Sequence, residues 1–137
     1  MRSTEFDAKS LPFILVLDDD FDLINIFRLG LEKYGLNVFG FTDPLLALEH
    51  FKINHERYAI VVSDIRMPTM NGYEFVKKVK EMKPEVKIFL MTAFEINDLE
   101  FSRALPSIRI DEFIQKPVSV GNLFAIIQKY ISEVKIS

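Results

Sequence analysis

The chain has 137 residues, 49% of them hydrophobic and 27% charged, with a formal net charge of −3. That length suits one domain, and thirteen Phe and four Tyr, with many Ile, Leu and Val, supply a solid core, so wholesale disorder is excluded. The lack of cysteine rules out disulfides, thiolate metal sites and a cysteine nucleophile, and the small negative charge argues against a basic nucleic-acid-binding stripe.

Met1 to Lys9 mixes polar and charged residues and lacks the apolar stretch of a signal peptide. No uninterrupted apolar run approaches the ~18–20 residues needed to cross a bilayer. The expectation is a cytoplasmic protein that engages neither membrane nor nucleic acid. Residues 1–10 and 135–137 read as tails around a single domain spanning 11–134.

The first apolar run, Phe13–Leu17, does not alternate with polar residues, the pattern of a strand buried on both faces. Ile24, Phe27, Leu31 and Tyr34 then recur at helical spacing, with Gly35 as a stop signal. A second strand is predicted over Asn37–Phe41. Pro44 opens the next helix, capped by Asp43 or Thr42, with Leu48 and Phe51 on one face. Ala59–Val62 reads as another strand buried on both faces, and Tyr73, Val76 and Val79 line the helix that ends before Pro84. Lys87–Met91 is the fourth strand. Its helix should lie within Phe94–Leu105, cut off by Pro106. Glu112–Gln115 is a weaker fifth strand, followed by a helix capped by Ser119 with Leu123, Ile127, Tyr130 and Val134 as its stripe. Strands alternating with helices predict an α/β fold: a doubly wound parallel sheet of five strands, with helices on both faces.

In such a sheet, ligands bind beyond the carboxyl ends of the strands. The first run is followed by Asp18, Asp19 and Asp20, the third by Asp64, the fourth by Thr92 and the fifth by Lys116. Clustered carboxylates repel one another unless protons or a cation intervene. Oxygen-only ligands suit Mg²⁺, which commonly accompanies phosphate chemistry. A cation there would neutralise incoming phosphoryl oxygens and leave one carboxylate free to attack phosphorus, while the lysine adds a point charge and the threonine a hydrogen bond. Taken singly, each residue has a plainer reading. The acidic triplet suits a solvated helix N-terminus, Asp64 a turn, Thr92 a helix cap and Lys116 an exposed surface. Their joint placement at four strand ends favours an aspartate that accepts a phosphoryl group.

These residues resemble the receiver domains of two-component response regulators. The resemblance spans about Leu11 to Val134 and rests on four ordered motifs: Ile14 through Asp20, Val61 through Gly72, Leu90 through Ala93, and Phe113 through Pro117. It implies a flavodoxin-like fold with strand order 2-1-3-4-5 and a signalling domain that carries its own Mg²⁺-dependent phosphotransfer and autodephosphorylation chemistry. By that resemblance Asp64 is the phosphoacceptor. Asp19, Asp64 and the main-chain carbonyl of Arg66 ligate Mg²⁺ (or Mn²⁺ in its place), with Asp18 acting through water. Thr92 bonds the phosphoryl group, Lys116 pairs with it, and Phe113 is the aromatic switch. The Lys116–Pro117 peptide is expected to be cis, and Gly72 to serve the tight turn after the acceptor loop. Arg66 and Phe94 would border the face from which water attacks, slowing hydrolysis of the phosphoaspartate. The implied donor is a histidine kinase or phosphotransfer protein, and the output a downstream protein bound by a monomer or weak dimer. Twenty residues follow Pro117, so the expectation is a stand-alone receiver or a piece of a longer protein. Arg109-Ile110 departs from the Gly-Ala usual before the fifth strand.

Other signals fail. Asp18-x-Asp20-x-Asp22 imitates a calcium loop but has Leu23 and Leu29 where glycine and glutamate are required. The spacing of Gly30, Gly35 and Gly40 fits no dinucleotide fingerprint. His50 and His55 read as surface residues remote from the acidic edge. The enzyme alternative is a haloacid-dehalogenase-type phosphohydrolase with Asp18 as nucleophile and Asp20 as acid–base group. The other alternative is a binding module that no longer accepts phosphate.

Overall fold

The computed structural model describes residues 11–93 and 108–136. In chain order it contains β1 (Phe13–Leu17), α1 (Phe21–Glu32), β2 (Asn37–Phe41), α2 (Pro44–Asn54), a 3₁₀ turn (His55–Arg57), β3 (Tyr58–Asp64), α3 (Gly72–Met82), β4 (Lys87–Thr92), β5 (Glu112–Gln115) and α4 (Val120–Ile136). All strand pairs are parallel, and the order is β2-β1-β3-β4-β5, as the receiver resemblance implied. The helix expected within Phe94–Leu105 lies outside the described residues, and so does the side chain of Val134.

Period-two alternation divides the strands between two cores. Phe13, Leu15 and Leu17 of β1 join Ala47 and Phe51 of α2 and Phe75, Val76 and Val79 of α3. Ile14 and Val16 face the other way, against Ile24, Phe27 and Leu31 of α1 and Leu123, Ile127 and Ile131 of α4. The sheet is thus covered on both sides, which is why β1 is apolar throughout and β3 is apolar from Ala59 to Val62. Two stripe residues differ from expectation. Tyr34 lies beyond the end of α1, exposed and stacked on Phe124 at 4.0 Å. Ile131 rather than Tyr130 completes the buried face of α4, while the Tyr130 hydroxyl turns to Glu112 Oε2 at 2.6 Å.

Local capping fixes where the helices begin. Asp20 accepts from the backbone N–H groups of Asp22 and Leu23, and Asp43 from that of Leu45. Asn71 and Glu74 form a reciprocal capping box at α3. Ser119 Oγ accepts from Asn122 N–H at 3.0 Å at the start of α4. Before β5, Arg109 pairs with Asp111 at 3.3 Å, while the other Asp111 oxygen accepts from Ile88 N–H at 2.8 Å.

His50 departs from its expected surface role. Its Nδ1 lies 2.8 Å from the hydroxyl of Tyr58, which is fully buried. Its ring packs on Phe39 and Phe41, with centroids 4.6 and 5.4 Å away. A buried tyrosine hydroxyl needs a partner, and α2 carries His50 over the strands to provide one. Burial holds the His50 imidazole below its usual value. A group depressed in this way contributes stability that is complete above its unfolded value of about 6.5 and is lost as pH falls through the folded value. Protonation places N–H on both ring nitrogens, so the Tyr58 hydroxyl must stop donating. His50→Gln, whose amide oxygen can still accept from Tyr58, should flatten the decline of urea stability between pH 7.5 and pH 5. Parallel pH profiles for parent and variant would count against this role.

Candidate functional site

The carboxyl ends of β1, β3, β4 and β5 meet at one edge of the sheet. Asp18 follows β1 directly. Asp64 and Thr92 are the last residues of β3 and β4, each strand running past the apolar segment that signalled it. Thr92 stands one step beyond Met91, the register partner of Asp64. Asp18, Asp64 and Thr92 are all buried, whereas Asp19 is exposed. Backbone bonds hold this edge: Asp18 N–H donates to Phe41 O at 3.1 Å, Ile65 N–H to Met91 O at 3.1 Å, and Lys116 N–H to Thr92 O at 2.7 Å.

Lys116 enters the acidic group from β5. Its Nζ lies 2.6 Å from Asp18 Oδ2 and 3.4 Å from Asp64 Oδ1. The second Asp18 oxygen accepts from Asp20 N–H at 2.9 Å. The Lys116–Pro117 peptide that follows is cis. Burial, and then the charge of Asp18, push the Asp64 carboxyl above its usual range, while Lys116 pulls it down. Burial alone would lower Lys116, but its hydrogen bond and ion pair with Asp18, joined by Asp64, hold it above the usual lysine value. Oxygens of Asp18, Asp19 and Asp64 lie within 4.8 Å of one another. This all-oxygen donor set suits a hard divalent cation, and a cation would relieve the repulsion that raises Asp64.

The remaining residues of interest take several positions. Asp20 is the N-cap of α1, so the plainer reading of the acidic triplet holds for that one residue. Phe113 is half-buried against the core that contains Leu90. Arg66 is exposed, two residues beyond Asp64, and Phe94 lies outside the described residues. Gly72 has a tighter constraint than a turn. Its N–H donates to Ile65 O at 2.7 Å, and a Cβ there would sit 2.4 Å from Asp64 O and 2.9 Å from Ile65 Cα. Three contacts escaped sequence reasoning. Buried Ser63 donates through Oγ to Asp64 O at 2.8 Å, Gln115 donates through Nε2 to Thr92 O at 3.0 Å, and Phe41 contributes its carbonyl. A hydroxyl directly before Asp64, closing an otherwise apolar run, was a usable signal for Ser63, whereas a carbonyl carries none.

A family model, "Response regulator receiver domain", matches residues 14–128. The chain belongs to the response regulator receiver family. This receiver is 30% identical over 118 residues to the response regulator receiver protein CpdR of Brucella abortus, covering 86% of this chain and 95% of that one. It is 32% identical over 115 residues to the phosphoglycerate transport system transcriptional regulatory protein PgtA of Salmonella typhimurium, covering 84% of this chain. It spans only about a quarter of PgtA's length (27%). Among solved structures, a CheY-like receiver domain protein from Methanospirillum hungatei superposes with a TM-score of 0.79 at 28% identity, covering 90% of this chain and 95% of that one. The flavodoxin-like fold and membership of two-component, phosphoaspartate signalling follow. Receiver domains bind Mg²⁺ at an acidic cluster of the kind Asp18, Asp19 and Asp64 form here.

Proposed function

We propose that this receiver accepts a phosphoryl group on Asp64 from a histidine kinase or phosphotransfer protein and thereby switches a protein-binding face. The observation that carries the reading is Lys116 Nζ, set between Asp18 at 2.6 Å and Asp64 at 3.4 Å on a buried strand edge. In the transfer, a carboxylate oxygen of Asp64 attacks phosphorus, the P–N bond of the donor phosphohistidine breaks, and the departing imidazole takes up a proton. Asp19, Asp64 and the Arg66 carbonyl would hold Mg²⁺, with Asp18 acting through water. The ion would supply charge neutralisation for the phosphoryl oxygens.

Lys116 keeps the second positive charge of the site, and the Thr92 hydroxyl offers a donor to the transferred group. The phosphoryl group adds ~1.5–2 negative charges. Drawing Thr92 toward it opens space for Phe113 to turn inward, the two-state element that a partner would read. Arg66 shields the phosphoaspartate from water. No helix among the described residues is long and apolar enough to cross a membrane, which is compatible with a cytoplasmic setting.

Beryllofluoride trapping in the presence of Mg²⁺, followed by structure determination, tests this directly. The adduct is expected on Asp64. An adduct on Asp18 would instead favour a hydrolase, a reading already weakened because Asp20, its required acid–base group, is engaged as a helix cap.

A further inference from the structure

We propose that Gln115 is a positioning residue that locks the end of β4 so that Thr92 meets the phosphoryl group; this rests on the receiver reading above. The Thr92 carbonyl accepts two hydrogen bonds, from Lys116 N–H at 2.7 Å and from Gln115 Nε2 at 3.0 Å. Both lone pairs of that oxygen are thereby engaged. Thr92 is the last residue of β4, and Ala93 beyond it is already exposed. A single ladder bond at a strand end acts as a pivot, about which the terminal peptide can rotate and carry its own side chain with it. A second donor on the same oxygen, arriving from a different direction, removes that freedom.

The two donors are adjacent residues of one strand and its continuation. Thr92 and Lys116, the hydroxyl and the amine of the site, are therefore tied together through one carbonyl rather than through the ligand. The register supports a link to Phe113 as well. Leu90 pairs with Phe113 and Thr92 with Gln115, so alternation places Phe113 and Gln115 on the same face of the sheet. Gln115 is thus the register partner of Thr92 and lies two residues along the same strand from Phe113. Gln115 itself is exposed, so packing gives no reason for a long amide at this position, whereas the bond to Thr92 does.

The test is a double-mutant cycle on the full chain: parent, Gln115→Leu, Thr92→Ala and the double variant. Each is titrated with Mg²⁺ alone and with beryllofluoride in saturating Mg²⁺. Gln115→Leu should weaken beryllofluoride binding about 2- to 10-fold, the loss of one hydrogen bond. It should leave Mg²⁺ affinity within about twofold, because no carboxylate is touched. In the Thr92→Ala background the same substitution should have no further effect. Gln115→Glu keeps the length but has no N–H to donate and sets a negative charge against the Thr92 carbonyl, so it should lose at least as much beryllofluoride affinity as Gln115→Leu. Equal losses in both Thr92 backgrounds, unchanged beryllofluoride affinity, or a parallel fall in Mg²⁺ affinity would each overturn the positioning role while leaving the receiver reading intact. A parent that binds no beryllofluoride at Asp64 would instead overturn that reading, and this role with it.

Discussion

Asp64→Asn should reduce Mg²⁺-dependent labelling by acetyl phosphate to background, a loss on the order of a thousandfold or more, as expected when a nucleophile is removed. The amide matches the carboxylate in shape but has no charged oxygen to attack phosphorus. Neighbouring carboxylates are poor substitutes. Asp18 is almost fully buried, with Lys116 on one oxygen and Asp20 N–H on the other. Asp20 caps α1. Loss of labelling through unfolding is separable from loss of the nucleophile, because the two predict opposite stability changes. The Asp64 carboxyl is raised, chiefly by burial and then by Asp18, so in metal-free buffer its contribution is present at low pH and is lost as pH rises through the folded value. Removing that ionisation should leave the variant at neutral pH no less stable than the parent. Labelling of Asp64→Asn that persists at the parental level, with the adduct mapped to another residue by mass spectrometry, would sink the assignment.

Gly72→Ala should cost roughly 1–3 kcal/mol of urea stability, the usual range for overpacking, and should impair beryllofluoride binding. On helix propensity alone the substitution ought to gain up to about 1 kcal/mol. Sterics decide the sign here. The added methyl would stand 2.4 Å from Asp64 O and 2.9 Å from Ile65 Cα, and both are backbone atoms that no rotamer change can move aside. Relief requires α3 to withdraw, which stretches the 2.7 Å bond from Gly72 N–H to Ile65 O, or requires the Asp64–Ile65 backbone to shift. Either response reaches Asp64, whose carbonyl is also held by Ser63 Oγ at 2.8 Å. The same change at Gly35 provides a contrast. Nothing lies within 4 Å of a Cβ there, but φ is +88°, so any cost arises from backbone conformation alone and should leave beryllofluoride affinity untouched. A Gly72→Ala protein with parental stability and parental affinity would refute the close-approach account.

Much of this molecule was legible before any coordinates. Strand limits at Phe13–Leu17, Asn37–Phe41 and Glu112–Gln115 coincide with the runs read from the sequence; central β1 is apolar throughout because both its faces are covered, whereas the edge strands β2 and β5 admit Asn37, Glu112 and Gln115. Asp43, Ser119 and Pro44 marked helix starts, since capping is a bond between a side chain and its own next turn. The convergence of Asp18, Asp64, Thr92 and Lys116 followed from topology, because parallel strands all end at the same edge. What only the tertiary structure decided were contacts between residues distant in the chain whose types do not announce a partner. His50 looked like a surface histidine because nothing local reveals that Tyr58, eight residues on, is fully buried and needs an acceptor. Lys116 was expected beside the acceptor, yet it bonds more closely to Asp18 than to Asp64, a balance of distances that spacing does not encode. Gln115 reaches Thr92 and Gly72 abuts Asp64 through backbone carbonyls. Every residue has one, so no sequence pattern distinguishes the carbonyl that will be met, and only the folded register selects it.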